Sequence, residues 1–272
     1  MWLFLSLGVK TSLKTDFEMI VHKFDRPITI VPISDVHLGA LEHNTKEWEA
    51  FCKTVLSDPD MYIILGGDLI NNSVRNSVAN PFDELYRPRE QKQRIVEYLT
   101  PLKDRILCVV SGNHEARTTK DSDQDITYDI VSKLDIEDLY RENACFMKVS
   151  LGERNSEKKP IASYTFCVTH GAGGGMTGSA VNRNERFGSV IDGLDCLIVG
   201  HTHKGTVSKP SKIVIDPQNN KVSMKPYLVI SMVSWLNYGG YALKKMLLPS
   251  DTSDPQKLKL VMSKDKRIEV TW

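Results

Sequence analysis

Over its first two-thirds the chain alternates short apolar runs with stretches in which apolar residues recur every three to four positions, the pattern of strands and helices in turn. Residues 28–34 are a largely apolar run of strand length, and 61–65 and 106–110 are continuous ones, as expected of buried strands. Between the first two, Trp48, Phe51, Cys52 and Val55 fall at i, i+3, i+4 and i+7, one face of a helix predicted over 45–56. Asn44 is its expected N-cap, with Glu47 at the third position as in a capping box. Further helices are predicted over 89–99, closing near Pro101, and over 126–140. Residues 145–151, a charged turn at 152–160 and residues 161–169 form an expected hairpin. A Gly-rich loop and a helix over 182–191 precede a buried strand at 196–199. From Thr206 onward the pattern is strands and hairpins, at 213–216, 222–224, 227–233, 258–262 and 267–271. There is no internal repeat and no linker, so residues 19–272 are expected to form one α/β domain.

Composition narrows the class. With 41% apolar and 25% charged residues in a chain of 272, disordered, collagen-like and low-complexity proteins are excluded. The 35 Lys and Arg against 34 Asp and Glu leave +1, so no global basic field attracts nucleic acid and only a local patch could. No apolar run approaches the ~20 residues that span a bilayer, and no membrane partner is expected. The five cysteines are odd in number and irregularly spaced, and four lie in apolar strand-like runs. They read as small buried hydrophobes rather than a disulfide framework or zinc knuckle, and a reducing cytoplasm is the expected location. The first nine residues are mostly apolar, but no basic residue precedes them and no small-residue cleavage site follows, unlike a signal peptide. Residues 1–18 are expected to be a start-site extension or docking strand outside the main fold.

The chemistry sits where the apolar runs stop. Asp35 and His37 follow the first, Asp68 the second, Asn113 and His114 the third, His170 the hairpin, and His201 and His203 the run at 196–199. One Asp or Asn after a strand is ordinarily a turn residue or a helix cap, and one His is ordinarily surface or satisfied core. Five such blocks holding five of the seven histidines, with only His22 and His43 outside, are a different matter. In open α/β sheets the ligand crevice lies beyond the carboxyl ends of the strands, so the five loops can converge. Gly66, Gly67, Gly112, Gly171 and Gly200 beside them permit the tight backbone that aims side chains inward. Carboxylate, imidazole and amide oxygen together form a donor set suited to manganese, iron or zinc, and the absence of Cys disfavours soft metals.

In this order, Asp35-Val36-His37, Gly67-Asp68, Gly112-Asn113-His114-Glu115, His170-Gly171 and Gly200-His201-Thr202-His203 resemble the five motifs of the calcineurin-like metallophosphoesterase superfamily. The resemblance covers residues 28–205 and implies a four-layer αββα sandwich, two mixed β-sheets face to face with helices outside. It implies two divalent ions, manganese first with iron, zinc, nickel or magnesium as alternatives. Asp35, His37 and His203 would hold one; Asn113, His170 and His201 the other; Asp68 would bridge them. His114 matches the superfamily's non-ligand histidine, which protonates the leaving group or steadies the transition state. Two such ions can clamp a phosphoryl group and share a hydroxide aimed at phosphorus.

The substrate is less sharply marked. The block at 112–115 is similar to that of the Ser/Thr protein phosphatases, but their second motif continues into an Asp-Arg pair where Asp68 here runs on to Leu69-Ile70-Asn71-Asn72-Ser73. That departure argues against a protein phosphatase and leaves the orienting partner of His114 open. Asp35-Val36-His37-Leu38-Gly39 is instead similar to the opening motif of double-strand-break-repair nucleases and related phosphodiesterases. A phosphodiesterase acting on nucleic-acid ends or nucleotides is the favoured expectation. A phosphomonoesterase and a non-catalytic interaction module on the same fold are the alternatives. Arg117, three residues after His114, is a candidate phosphate clamp, and Arg183 and Arg186 would share a helix face toward the substrate. The glycines at 171–178 lack the Gly-Lys-Ser/Thr of a nucleotide loop and are read as a lid beside His170. The β-rich C-terminal third is a surface on which a homodimer could form.

Overall fold

The apolar runs lie side by side. In a computed structural model, which describes residues 16–75, 77, 82–153, 160–172, 178–244, 246, 249 and 253–272, β2 (Ile28–Ile33), β3 (Met61–Leu65) and β4 (Ile106–Val110) pair in parallel. The short β5 (Tyr140–Arg141) extends them on one side, and antiparallel β13 (Lys257–Leu260) and β14 (Ile268–Thr271) on the other. The second sheet runs β1 (Ile20–Phe24), β6 (Ala144–Leu151), β7 (Ala162–Thr169), β8 (Cys196–Val199), β12 (Leu228–Ser231) and β9 (Thr206–Ser208). It too is mixed, with β6 antiparallel to β7 and β7, β8 and β12 parallel.

Three apolar layers separate four layers of structure. Ile30, Ile64, Cys108 and Val110 of the first sheet face Cys145, Met147, Tyr164, Phe166 and Ile198 of the second, all buried. On its other face the first sheet presents Val31, Ile33, Ile63 and Leu65 to helices α1 (Thr45–Ser57), α2 (Pro88–Leu99) and α4 (Ile126–Lys133). The outer face of the second sheet, through Leu197, Val199 and Val229, packs with Leu194 and Tyr227 beneath helix α5 (Gly178–Ser189). Because every central strand is covered on both sides, alternation disappears from its sequence, which is why 61–65 and 106–110 read as unbroken apolar runs. The first helix is capped as its sequence predicts: the Asn44 side chain accepts from Glu47 N–H at 3.3 Å, and Trp48, Cys52 and Val55 are buried.

Two expectations are corrected. Residues 126–140 are not one helix: α4 stops at Lys133, Asp135 takes a left-handed φ of 57°, and a 3-10 turn (Glu137–Leu139) leads into β5. Ile136, Leu139 and Tyr140 still pack on the helix-side core, so their periodicity reported which way they face and not that the helix continued. Residues 115–125, over which no helix is predicted, contain helix α3 (Glu115–Ser122), whose only buried residue among its eight is Glu115. A helix with no apolar stripe leaves no periodic signal.

The chain meets the body before residue 19. The buried Asp16 carboxylate accepts from Asn143 N–H at 3.2 Å and from its side-chain amide at 2.7 Å. Phe17 stacks on Phe146, and the Glu18 carbonyl accepts from Arg141 at 3.1 Å. Residues 1–15 lie outside the described residues. The hairpin of β10 (Ser211–Asp216) and β11 (Lys221–Pro226) forms its own two-stranded sheet. Its pairs Ile213–Met224 and Ile215–Val222 share one face, and all four side chains are exposed. All five cysteines are buried and unpaired, and among the described residues no helix is long and apolar enough to cross a membrane.

Candidate metal centre

Both sheets contribute to the site. β2, β3 and β4 of the first end at Asp35/His37, Asp68 and Asn113/His114; β7 and β8 of the second end at His170 and His201/His203. The backbone turns sharply at these points. Asp35, His37, Asp68, His201 and His203 all have φ between 47° and 68°, the left-handed region that non-glycine residues rarely enter. Such residues cost of order 1–3 kcal/mol each and persist where their surroundings over-determine them. Here the surroundings are main-chain bonds between neighbouring loops: Asp35 N–H to Gly67 O at 3.0 Å, His37 N–H to Asp68 O at 3.0 Å, and Trp235 N–H to Asp35 O at 3.0 Å.

Asp68 occupies the middle. Its Oδ2 lies 3.2 Å from His170 Nε2, 3.8 Å from His114 Nε2 and 3.9 Å from His37 Nε2, while Oδ1 accepts from His114 N–H at 2.8 Å. On one side, Asp35 Oδ1 is 3.1 Å from His203 Nε2, which is itself 3.2 Å from His37 Nε2. On the other, His170 Nε2 is 3.0 Å from the side-chain oxygen of Asn113, and the His170 and His201 rings stand edge to face at 5.2 Å. Three groups have ligand atoms close enough to hold an ion: Asp35/His37/His203, His37/Asp68/His114 and Asp68/His170/His201. All seven residues expected to hold metal are thus brought together, with His114 beside them.

The donor set fits divalent cations. Asp35 Oδ1 is buried without a satisfied hydrogen bond, and two imidazole nitrogens, His37 Nε2 and His203 Nε2, confront each other at 3.2 Å, an arrangement with no purpose in an apolar core. The tautomers are set from behind. His170 Nδ1–H donates to Gly66 O at 2.8 Å, which turns its Nε2 toward Asp68 and Asn113. Burial would lower the His170 pKa, but the Asp68 carboxylate overrides it and pushes it up to about 10, and Asp68 itself is held below the usual carboxylate range despite its burial. His203 is likewise raised, burial opposing and Asp35 winning. Bound cations would neutralise the same carboxylates in place of these protons.

His114 differs from the others. Burial, with His37 nearby, pushes its pKa down to about 3. Its Nδ1–H donates to Asn71 O at 2.6 Å, and its Nε2 accepts from Arg117 Nη2 at 2.8 Å, so the lone pair a metal would need is taken. The orienting partner left open by the missing Asp-Arg pair is therefore a main-chain carbonyl. Arg117 itself lies on His114 and on Asn71 O at 3.2 Å. Arg183 Nη1 donates to Ala172 O. Arg186 is exposed on the same helix and does not border the cavity that Arg183 lines. The glycines at 173–175, expected as a lid, lie outside the described residues.

Three supporting residues were not assigned a role from the sequence. The buried Glu115 carboxylate accepts four main-chain N–H groups: those of Asp68 at 3.0 Å, Leu69 at 2.7 Å, Ile70 at 3.1 Å and Gly112 at 3.1 Å. Burial and the Asp68 charge nonetheless push its pKa up to about 7. Buried Gln91 accepts from Asn72 N–H at 2.9 Å and, through its amide, donates to Glu84 at 2.6 Å, anchoring the strand-end loop. His43 Nδ1–H braces Val36 O at 2.9 Å, between Asp35 and His37. Only the position of Glu115 inside the 112–115 block hinted at any of these. Gly112 is needed for space: a Cβ there would lie 2.1 Å from both Asp68 N and Oδ1. Gly112→Ala is expected to cost about 1–3 kcal/mol or more by overpacking and to displace Asp68. Thermal melts with and without Mn²⁺ should show a lowered Tm and no metal-induced rise.

Two face-to-face mixed sheets with Asp- and His-bearing loops gathered at one end are the layout of a metallophosphoesterase. Residues 28–205 match the calcineurin-like phosphoesterase family, and the chain belongs to it. Over 106 residues, 36% of this chain, it is 30% identical to the DNA polymerase II small subunit of Thermoplasma acidophilum. The matched stretch is 22% of that relative's length. A mutant cold-active protein tyrosine phosphatase aligns over 95% of this chain and 84% of its own, at a TM-score of 0.32 and 10% identity, a likeness too slight to bear on fold or activity.

Proposed function

We propose that this protein is a two-metal phosphodiesterase acting on nucleic-acid ends or nucleotides. The observation that carries the reading is Asp68, whose single Oδ2 faces His37 and His114 on one side and His170 on the other. Asp35, His37 and His203 would hold one cation and Asn113, His170 and His201 the second, with Asp68 shared. Bound there, the ions supply Lewis-acid polarisation of a phosphoryl group and activation of water at neutral pH. With only two carboxylates among the seven ligands, the loaded site is cationic and attracts an anionic ester.

The chain's own groups do the remainder. Glu115 fixes the main chain of 68–70 so that the Asp68 carboxylate cannot swing away. Asn71 O holds the His114 ring by Nδ1–H, and Arg117 can exchange its bond to His114 for a phosphate oxygen. Preference for a diester rests on the 35–39 motif and on the absence of the Asp-Arg pair. The distant likeness to a DNA polymerase subunit supports a nucleic-acid substrate. Manganese suits the mixed carboxylate, imidazole and amide donors.

Hydrolysis of single- and double-stranded DNA, RNA, cyclic nucleotides and phosphopeptides with Mn²⁺ tests the reading. Diester cleavage supports it, and preference for phosphopeptides would replace it with a monoesterase. EDTA should abolish turnover. Because the histidines bind metal only as neutral imidazoles, protons compete with the ions most at His170 and His203, whose pKa values Asp68 and Asp35 raise, so affinity falls steadily as the pH is lowered. Elemental analysis after dialysis should find two ions per chain at pH 7.5 and far fewer at pH 5.

A further inference from the structure

Beside the centre a cavity of about 620 Å³ opens from Asn113 and His170 and runs between α3 and α5. Its size is that of a small-molecule site, for which about 300–1,000 Å³ is usual, and much too small for a duplex. Its charged lining is balanced, Lys120 and Arg183 against Asp125 and Glu142. A channel that tracks a polyanionic strand carries an excess of cations instead. Phe187 borders the same space with 44% of its surface exposed, four residues and one helical turn beyond Arg183. Asn143 in the wall is held by the Asp16 carboxylate through both its main-chain and side-chain nitrogens.

A half-open aromatic ring, amide and carboxylate groups at the walls, and two metal-capable side chains at one end match a single nucleoside phosphate. We propose that the cavity receives one nucleoside of the substrate, its base stacked on Phe187 and its phosphate at the Asn113/His170 end. This rests on the diesterase reading and sharpens it. The substrate is a small nucleotide diester or the last nucleotide of a strand, never the interior of a duplex.

Calorimetric titration of the Mn²⁺-loaded protein with inorganic phosphate, ribose 5-phosphate and AMP tests it. AMP should bind about 5- to 150-fold tighter than ribose 5-phosphate, the usual range for one base stacked on one aromatic ring. Phe187→Ala should erase that advantage and leave phosphate binding unchanged, Phe187→Tyr should restore it, and Phe187→Leu controls for lost volume. An AMP affinity equal to that of ribose 5-phosphate, or an advantage that survives Phe187→Ala, overturns the nucleoside pocket while leaving the metal site intact. Binding of none of the three overturns the diesterase reading together with the pocket.

Discussion

Asp68→Asn is expected to empty both metal positions at once. Asn offers one neutral oxygen in place of a charged carboxylate shared by two clusters, so each ion loses a ligand and the pair loses half of its protein-derived negative charge. Removing an outer partner of a metal ligand already costs about 10–100-fold in affinity, and a shared direct ligand should exceed that. Elemental analysis should fall from two ions per chain to fewer than one, with turnover lower by about 10³-fold or more. The fold should survive, because Asn can still accept the His114 N–H that Asp68 Oδ1 accepts at 2.8 Å. Circular dichroism separates loss of metal from loss of structure. A variant that kept one tightly bound ion would show that Asp68 serves a single position and that the bridging assignment is wrong.

His114→Ala should do the opposite, keeping both ions and losing about 10²–10⁴ in kcat, the range for a missing general acid. The geometry adds a finer test. Asn71 O accepts Nδ1–H whether the ring is neutral or protonated, but burial, with His37 nearby, lowers the pKa and Arg117 donates to Nε2, so Arg117 must leave Nε2 before that atom can carry a proton to the leaving group. If His114 protonates the leaving group, the loss is large for a nucleoside alkoxide and small for p-nitrophenolate, which departs without a proton. Equal losses on both esters would assign His114 to charge stabilisation at phosphorus instead. Metal loss in this variant would make it a ligand, as its place beside Asp68 and His37 allows on distance alone.

The helix capped by Asn44 and the strands at 61–65, 106–110 and 196–199 were fully legible, since burial on both faces or on one stripe imposes its period on the residues themselves. The eight residues gathered at the centre were legible too, because chemistry of this kind needs particular side chains directly after strands, and sequence records that adjacency. Which sheet each strand joined was not. β7 and β8 pair away from β2, β3 and β4, yet their loops meet, and the two-sheet layout follows from the shared core in which Ile64 and Cys108 of one sheet are buried with Cys145 and Phe166 of the other.

The supporting groups were hidden for a related reason. Glu115 acts through four main-chain N–H groups, and main-chain donors are the same at every position, so no residue letter marks them. Asn71 positions His114 through its carbonyl, where any residue would serve. Phe187 and Arg183 became neighbours of Asn113 only when α5 closed over the second sheet. Sequence alone thus determined the identity and order of the reactive side chains, because those depend on local chemistry. Tertiary structure decided their partners, tautomers and the cavity beside them, because those depend on contacts between segments that hydrophobic packing alone brings together.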